Sequence, residues 1–165
     1  MNFKLRQWQK SDVDSLTKYA NNPKIASNLT NQFPYPYTKE NALNFIEMVL
    51  EFNPPQVFAI EINGEAVGGI GIHSQADVYC KNMELGYWLA EPFWGNGIMS
   101  KAIEEIVEHG FDKFQITRIF ARPYGPNKAS QRVLEKAGFV LEATFEKTFY
   151  KNGEFLDELV YAIRK

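Results

Sequence analysis

The sequence predicts an α/β protein with a mixed sheet, built in the order βααβββαβαββ. Two of the supporting observations are hairpin signals: β-rich runs flank Asn63-Gly64 and Asn152-Gly153, dipeptides typical of tight β-turns. The third is a change in apolar spacing after Pro92, from two residues to about 3.6, which marks a passage from strand to helix. With 165 residues, the chain has the length of one domain, so we expect a single domain over residues 1–165.

The first two elements are a strand and a helix. Residues 2–8 alternate along the chain, which predicts a strand. Ser11 is suited to cap a helix, and Asp12 would lie in its first turn, where the helix dipole favours a carboxylate. We therefore expect the first helix over residues 12–20.

The next region joins this helix to a second long one. Three prolines interrupt residues 23–37, and proline cannot donate to a hydrogen-bond ladder, so this stretch predicts a short helix followed by a loop. Thr38 can cap a second helix, whose apolar residues recur at spacings of three and four. Pro54-Pro55 is expected to end it.

Three strands are expected in the middle of the chain. Residues 57–62 and 65–72 flank Asn63-Gly64 and predict a hairpin. Residues 83–90 predict a third strand of the same sheet. Because successive side chains of a strand point to opposite faces, Glu84 should point away from its apolar neighbours.

The remaining elements alternate between helices and strands. Apolar residues at helical spacing predict a helix that begins near Ile98, and residues 117–122 predict a strand. Asn127 can cap a further helix, which Gly138 would end in the left-handed conformation that helix ends favour. Residues 139–149 and 154–163 predict two closing strands.

Composition excludes several classes of function. Hydrophobic residues make up 45% and charged residues 23% of the chain, which indicates a folded protein. Lys and Arg number 18 against 20 Asp and Glu, so positive charge for binding nucleic acid is lacking. Cys80 stands alone and cannot close an internal disulfide, and no apolar stretch of about 18 residues suggests a membrane span. We expect a cytoplasmic protein with neither nucleic acid nor membrane as partner.

The passage from the third strand to the next helix is the segment most indicative of binding. Gly95 and Gly97 leave main-chain N–H groups unobstructed, and the dipole of the helix beginning near Ile98 adds positive potential. An anion is expected there. The segment lacks the Gly-Lys-Ser/Thr of a P-loop and the third glycine of a dinucleotide-binding turn. The alternative is that both glycines serve only the geometry of the turn.

Three segments, taken together, resemble the GNAT superfamily of acyl-CoA-dependent N-acyltransferases, most closely its RimJ/RimL-like branch of ribosomal-protein N-acetyltransferases. They are Glu84 to Leu89, Trp94 to Gly97 and Asn127 to Phe139, and the likeness extends over nearly the whole chain. It implies a GNAT-like fold, with a mostly antiparallel twisted sheet of about six or seven strands flanked by about four helices.

The resemblance implies acetyl-CoA as co-substrate. Its pyrophosphate would lie on the main-chain amides of the glycine turn, and its pantetheine arm would run beside the third strand. The implied cofactor-binding residues are Trp88, Leu89, Ala90, Trp94, Gly95, Asn96, Gly97, Ile98, Met99, Ser100 and Asn127. Capping its own helix is an adequate structural reason for Asn127 as well. The superfamily pattern expects Gln or Arg at Trp94 and Gly or Ala at Met99, but main-chain contacts to phosphate tolerate the difference at Trp94.

The implied catalytic residues are Glu84 and Ser130. Many superfamily members place a Tyr at the position of Leu134 to protonate the leaving thiolate, so the usual acid is missing, and Ser130 is the nearest hydroxyl. Its alternative role is that of a third helical residue bonded to the cap. Glu84 is the candidate base, and its alternative is a solvated carboxylate on a half-buried sheet.

No other residue pattern suggests covalent or metal chemistry. Cys80 lies outside the glycine turn and has no nearby His in sequence, so no covalent intermediate is expected. His73 and His109 lack the spacing of metal ligands, and we expect no metal.

The sequence therefore predicts an acetyl-CoA-dependent N-acetyltransferase. It would move an acetyl group to a primary amine, either a protein N-terminal α-amine or a small molecule, by direct transfer in a ternary complex. The alternative is a catalytically inactive acyl-CoA-binding or interaction module. A homodimer is left open.

Overall fold

A computed structural model describes all residues from Met1 to Lys165. Seven strands form one sheet in the order β1-β2-β3-β4-β5-β7-β6. The strands are β1 (Lys4–Gln7), β2 (Val57–Ile62), β3 (Glu65–Ser74), β4 (Asn82–Leu89), β5 (Arg118–Ala121), β6 (Val140–Lys151) and β7 (Glu154–Arg164). The helices are α1 (Val13–Ala20), α2 (Pro23–Ala26), α3 (Lys39–Leu50), α4 (Ile98–Lys113) and α5 (Lys128–Lys136).

The sheet is mixed and mostly antiparallel. Strands β4 and β5 pair in parallel, whereas β1 with β2, β2 with β3, β5 with β7, and β6 with β7 pair antiparallel. The predicted fold class is confirmed: the sheet has seven strands, and α2 is the short helix expected between the two long N-terminal helices.

The chain divides into two compact units. The first comprises Met1–Gly71 with Tyr87–Ile98, and the second comprises Ile72–Gly86 with Met99–Lys165. The single acyltransferase domain expected over residues 1–165 therefore stays a prediction.

An aromatic and aliphatic core holds the first unit together. Trp8 is almost completely buried and meets the ring of Phe45 edge to face, with ring centroids 5.4 Å apart. Trp88 of β4 packs against this core and lies tightly on β3: a Cβ added at Gly69 would be 2.8 Å from the Trp88 indole nitrogen. A side chain at Gly69 would displace this indole, so the glycine leaves the space that the Trp88 ring occupies.

The start of α1 differs from the sequence prediction. A short 3-10 turn, Lys10–Asp12, precedes the helix, and the residue in its N-cap position is Gln9, not Ser11. Asp12 accepts hydrogen bonds from the Gln9 main chain and from two nitrogens of Arg6. Gln9 and Asp12 form the capping box of this turn. Ser11 lies inside the turn and therefore does not cap it.

In the second unit, α4 lies close to the sheet. A Cβ added at Gly110 would be 2.8 Å from Ile72 and 3.0 Å from Ile119, so the absence of a side chain permits this helix to approach β3 and β5.

None of the helices has both the length and the apolar character needed to cross a bilayer.

Candidate active site

The turn between β4 and α4 adopts the backbone conformation that its glycines suggest. Gly95 and Gly97 have φ angles of +76° and +71°, which L-residues with side chains rarely adopt. An added Cβ at either position would meet no atom within 4 Å, so backbone conformation, and not lack of space, requires glycine. The turn is exposed, and α4 begins at Ile98, as predicted.

Side chains within the turn bind its carbonyl groups. The Trp94 indole nitrogen donates to the carbonyl of Leu89 at 2.7 Å, and the Asn96 amide donates to the carbonyls of Phe93 and Trp94 at 3.1 Å each. The first N–H groups of any α-helix lack an intrahelical acceptor. These three carbonyl groups therefore accept hydrogen bonds from side chains of the turn. The N–H groups at the start of α4 are suited to an anion.

The two residues after the turn point their side chains into the protein. The side chains of Ile98 and Met99 are buried, and Ser100 is half-buried in the first turn of α4. The Met99 side chain, which stands where the superfamily has Gly or Ala, packs into the protein interior.

The end of β4 offers fewer main-chain groups than the sequence suggests. The Ala90 N–H donates to the carbonyl of Val67 in β3 at 2.8 Å, and the Leu89 carbonyl already accepts from Trp94. Main-chain groups alternate between the two edges of a strand. The Leu89 N–H, on the edge opposite Val67, is therefore the donor best suited to an amide-bearing ligand.

Glu84 and Arg122 form a two-bond ion pair. The Arg122 Nε donates to Glu84 Oε1 at 2.8 Å, and Nη2 donates to Oε2 at 3.2 Å. Arg122 also lies 3.7 Å from Oε1 of Glu158, a carboxylate residue that is only 8% exposed. These contacts raise the pKa of Arg122, mainly through its hydrogen bond to Glu84. Glu84 is thus an ion-paired carboxylate on a half-buried strand, and its catalytic role stays a prediction.

His73 belongs to the surroundings of Glu84, which the sequence analysis missed. Strand β3 continues two residues past its predicted end, to Ser74, and so includes His73. A Cβ added at Gly86 would lie 3.7 Å from the His73 Nε2. Although part of this side chain is exposed, desolvation lowers its pKa, and the charge of Glu84 opposes that shift. A sequence signal exists: His73 directly follows the buried run of β3.

The helix cap at Asn127 is confirmed. Its side-chain oxygen accepts from the Ser130 N–H at 3.2 Å, so Ser130 is bonded to the cap through its main chain, as the alternative interpretation proposed. Leu134, one turn further along α5, is 0% exposed. The residue at the place of the superfamily tyrosine is thus part of the core. No group of three or more His, Cys, Asp or Glu side chains that could hold a metal ion occurs.

The chain combines a mixed seven-stranded sheet with a glycine turn that opens onto α4. The model of the acetyltransferase (GNAT) domain family matches residues 2–140, and the chain therefore belongs to the GNAT acetyltransferase family. The resemblance to the GNAT superfamily that the sequence indicates is confirmed.

Curated relatives carry acetyltransferase names. Uncharacterized N-acetyltransferase YoaA of Bacillus subtilis (strain 168) is 37% identical over 101 residues, which are 61% of this chain and 56% of the relative. The ribosomal-protein-serine acetyltransferase of Escherichia coli (strain K12) is 28% identical over 107 residues, covering 65% of this chain and 59% of the relative. The chain thus matches little more than half the length of these relatives.

A solved structure gives the same fold. RimL, a ribosomal L7/L12 alpha-N-protein acetyltransferase in complex with coenzyme A, superposes with a TM-score of 0.87 at 24% identity. The superposition covers 99% of this chain and 94% of that protein.

Proposed function

We propose that the chain moves the acetyl group of acetyl-CoA to a primary amine by direct transfer in a ternary complex. The observation that carries this proposal is the exposed turn at Gly95 and Gly97, with open space at both glycines and the N-terminus of α4 directly behind it. Such a turn suits a phosphate group. Membership of the acetyltransferase family supports the type of reaction.

The co-substrate would be held mainly through the main chain. The diphosphate is assigned to the N–H groups of the turn and the first turn of α4, formed by Trp94, Gly95, Asn96, Gly97, Ile98, Met99 and Ser100. The pantetheine arm is assigned to Trp88, Leu89 and Ala90, with the Leu89 N–H as principal donor. Because the side-chain oxygen of Asn127 caps α5, its amide nitrogen is the group that would meet the arm.

The reaction needs a neutral amine. An ammonium group has no lone pair, so one proton must leave before the nitrogen attacks the thioester carbonyl carbon. As the C–N bond forms and the C–S bond breaks, the nitrogen loses a second proton and the thiolate gains one. Overall, one proton is released to solvent. Fixing the amine about 3 Å from the carbonyl supplies much of the rate enhancement.

Glu84 and Ser130 are the proposed catalytic residues for these steps. The negative charge of Glu84 favours an approaching ammonium group, and the Ser130 hydroxyl is assigned as the proton donor to the thiolate. The half-buried position of both side chains supports these roles.

The acceptor proposed first is a protein N-terminal α-amine, because one relative is named as a ribosomal-protein-serine acetyltransferase. A small-molecule amine is the other acceptor to be tested. A cytoplasmic location, no metal and no nucleic acid or membrane partner are parts of the same proposal.

Two measurements test the proposed function. Isothermal titration calorimetry with acetyl-CoA should show one site with a Kd below hundreds of micromolar. Thiol release from acetyl-CoA should then be followed with peptides beginning with Ser or Ala and with a panel of small amines. Absence of acetyl-CoA binding would end the proposal.

The second candidate, an inactive acyl-CoA-binding module, is favoured by one observation. Leu134 lies fully buried at the position where the superfamily places a tyrosine. Tight acetyl-CoA binding without thiol release for any acceptor would support the module, whereas turnover that Ser130→Ala reduces would support the enzyme.

A further inference from the structure

We propose that His73 accepts the proton of the acceptor ammonium, while Glu84 holds Arg122 and stabilises the imidazolium that forms. The inference rests on the proposed acetyl transfer and names a further catalytic residue for it. It depends on the placement of three neighbours: His73 on β3, and Glu84 and Gly86 on β4.

The geometry brings His73 to the face of the sheet that carries Glu84. Side chains two residues apart on a strand point to the same face, so Glu84 and the bare position at Gly86 share one face. The His73 Nε2 lies 3.7 Å from where a Cβ of Gly86 would be. The imidazole therefore stands beside a position with no side chain, where an approaching amine has room.

Glu84 is poorly placed to take the proton itself. Each of its oxygens accepts a hydrogen bond from Arg122, and Arg122 also lies 3.7 Å from Glu158. To accept a proton from an ammonium group, Glu84 would have to give up one of its two hydrogen bonds to Arg122. The geometry of the ion pair therefore assigns Glu84 to holding Arg122.

His73 is better suited to accept the proton. Desolvation lowers the pKa of His73 from its usual 6.5, so the imidazole is neutral at pH 7 and keeps a lone pair for the proton. The charge of Glu84 acts in the opposite direction and stabilises the imidazolium once it has formed. The charged groups on this side of His73 are Glu84, its partner Arg122, and Glu158, which lies next to Arg122.

The proton balance is simple. The ammonium N–H bond breaks, the proton passes to an imidazole nitrogen of His73, and the free amine attacks the thioester carbon. Because His73 is partly exposed, the imidazolium can then release its proton to water. No oxidant, metal or further reactant is required.

The test compares His73→Ala and His73→Gln with the same changes at His109, the second histidine of the chain, which lies on α4. For each variant, kcat and KM are measured across pH 5 to 9 with an active peptide acceptor, with and without added imidazole. Calorimetry with acetyl-CoA and far-UV circular dichroism run in parallel. Histidine NMR titration of the unmodified protein reports the His73 protonation directly, without any variant.

We expect His73→Ala to lower kcat about 100-fold, as removal of a general base typically does. The acetyl-CoA Kd should stay within about two-fold, and imidazole should restore part of the rate. His73→Gln should be as slow as His73→Ala and should lose the acid limb of the pH profile that coincides with the NMR titration. Both His109 variants should behave like the unmodified protein.

Three outcomes would overturn the inference. One is activity of His73→Ala within about three-fold of the unmodified protein with an unchanged acid limb. A second is recovery of activity in His73→Gln, which would indicate hydrogen bonding and not proton transfer. A third is a His73 titration above 6.5. If the unmodified protein binds acetyl-CoA but turns over no acceptor, the proposed function itself has failed, and the inference falls with it.

Discussion

The indole nitrogen of Trp94 donates a hydrogen bond to the carbonyl oxygen of Leu89 at 2.7 Å. This contact ties the glycine turn to the last residue of β4, five positions earlier in the chain. It gives a structural role to a tryptophan that stands where the superfamily pattern expects Gln or Arg. Trp94 is 44% exposed, so the residue is held in place both by this hydrogen bond and by partial burial.

Trp94→Phe should weaken acetyl-CoA binding while leaving the fold intact. The change removes the hydrogen bond but keeps an aromatic ring, at a cost of about 0.5 to 1.5 kcal/mol, or roughly two- to ten-fold in Kd. Calorimetry measures the Kd, and thermal unfolding checks the fold. An unchanged Kd would mean that Trp94 does not shape the binding turn.

Gly97→Ala should lower both stability and acetyl-CoA affinity. Forcing a side chain into the left-handed conformation costs about 1 to 2 kcal/mol, and the turn would relax away from its present geometry. Gly64→Ala is the matched control, because Gly64 has φ of +85° and also has no neighbour within 4 Å. Both variants should lose similar free energy of unfolding in urea, but only Gly97→Ala should bind acetyl-CoA more weakly. Equal affinities would argue against the turn as the anion site.

Arg122→Gln should destabilise the protein more than Arg132→Gln, the same change at an exposed arginine of α5. Arg122 pairs with both Glu84 and Glu158, and its loss leaves two carboxylates without their cation. Since Arg122 is partly solvated, the expected loss is about 1 kcal/mol in urea unfolding. Adding Glu158→Gln to Arg122→Gln should recover part of that loss. A double variant less stable than the single one would show that Glu158 does not depend on Arg122.

Glu142→Gln should reduce the sensitivity of the protein to acid. Hydrogen bonds from Arg118 and, to a smaller extent, Arg164 lower the pKa of Glu142 below its usual 4.5. The folded state therefore binds this proton less readily than the unfolded state, so the ion pairs stabilise the fold above pH 4.5 and cease to do so as the pH falls below it.

Glu142→Gln should lower the free energy of unfolding at pH 7 by about 0.2 to 1 kcal/mol, as for other exposed pairs. Its stability should also fall less between pH 5 and pH 3. Glu146→Gln, on the same strand, serves as control and should follow the unmodified protein. Parallel pH curves for the Glu142 variant and the unmodified protein would contradict the assignment.

Local signals in the sequence were sufficient for the elements that frame the site. The hairpin at Asn63-Gly64, the start of α4 at Ile98 and the cap at Asn127 were predicted correctly. Each depends on residues within a few positions of one another: positive φ at a turn, a change of period, and a side chain bonded to the next helical turn. These preferences operate before any tertiary contact forms.

The contacts that the sequence did not predict join residues far apart in the chain. Glu84 and Arg122 are 38 positions apart, and they meet because β4 and β5 pair with Glu84 opposite Phe120, a register that neither strand specifies alone. Ser11 was predicted as a cap because its residue type suits one, but Asp12 completes the cap and binds Arg6 of β1. His73 was considered only as a metal ligand, since the predicted strand ended one residue before it.

The hydrogen bonds from Trp94 and Asn96 into their own turn have a kinetic consequence. A loop that has the same conformation with and without the co-substrate loses its conformational entropy when the chain folds. It loses little more when the co-substrate binds. Stopped-flow association should then be a single exponential whose rate rises in proportion to acetyl-CoA concentration, with no slow closing step.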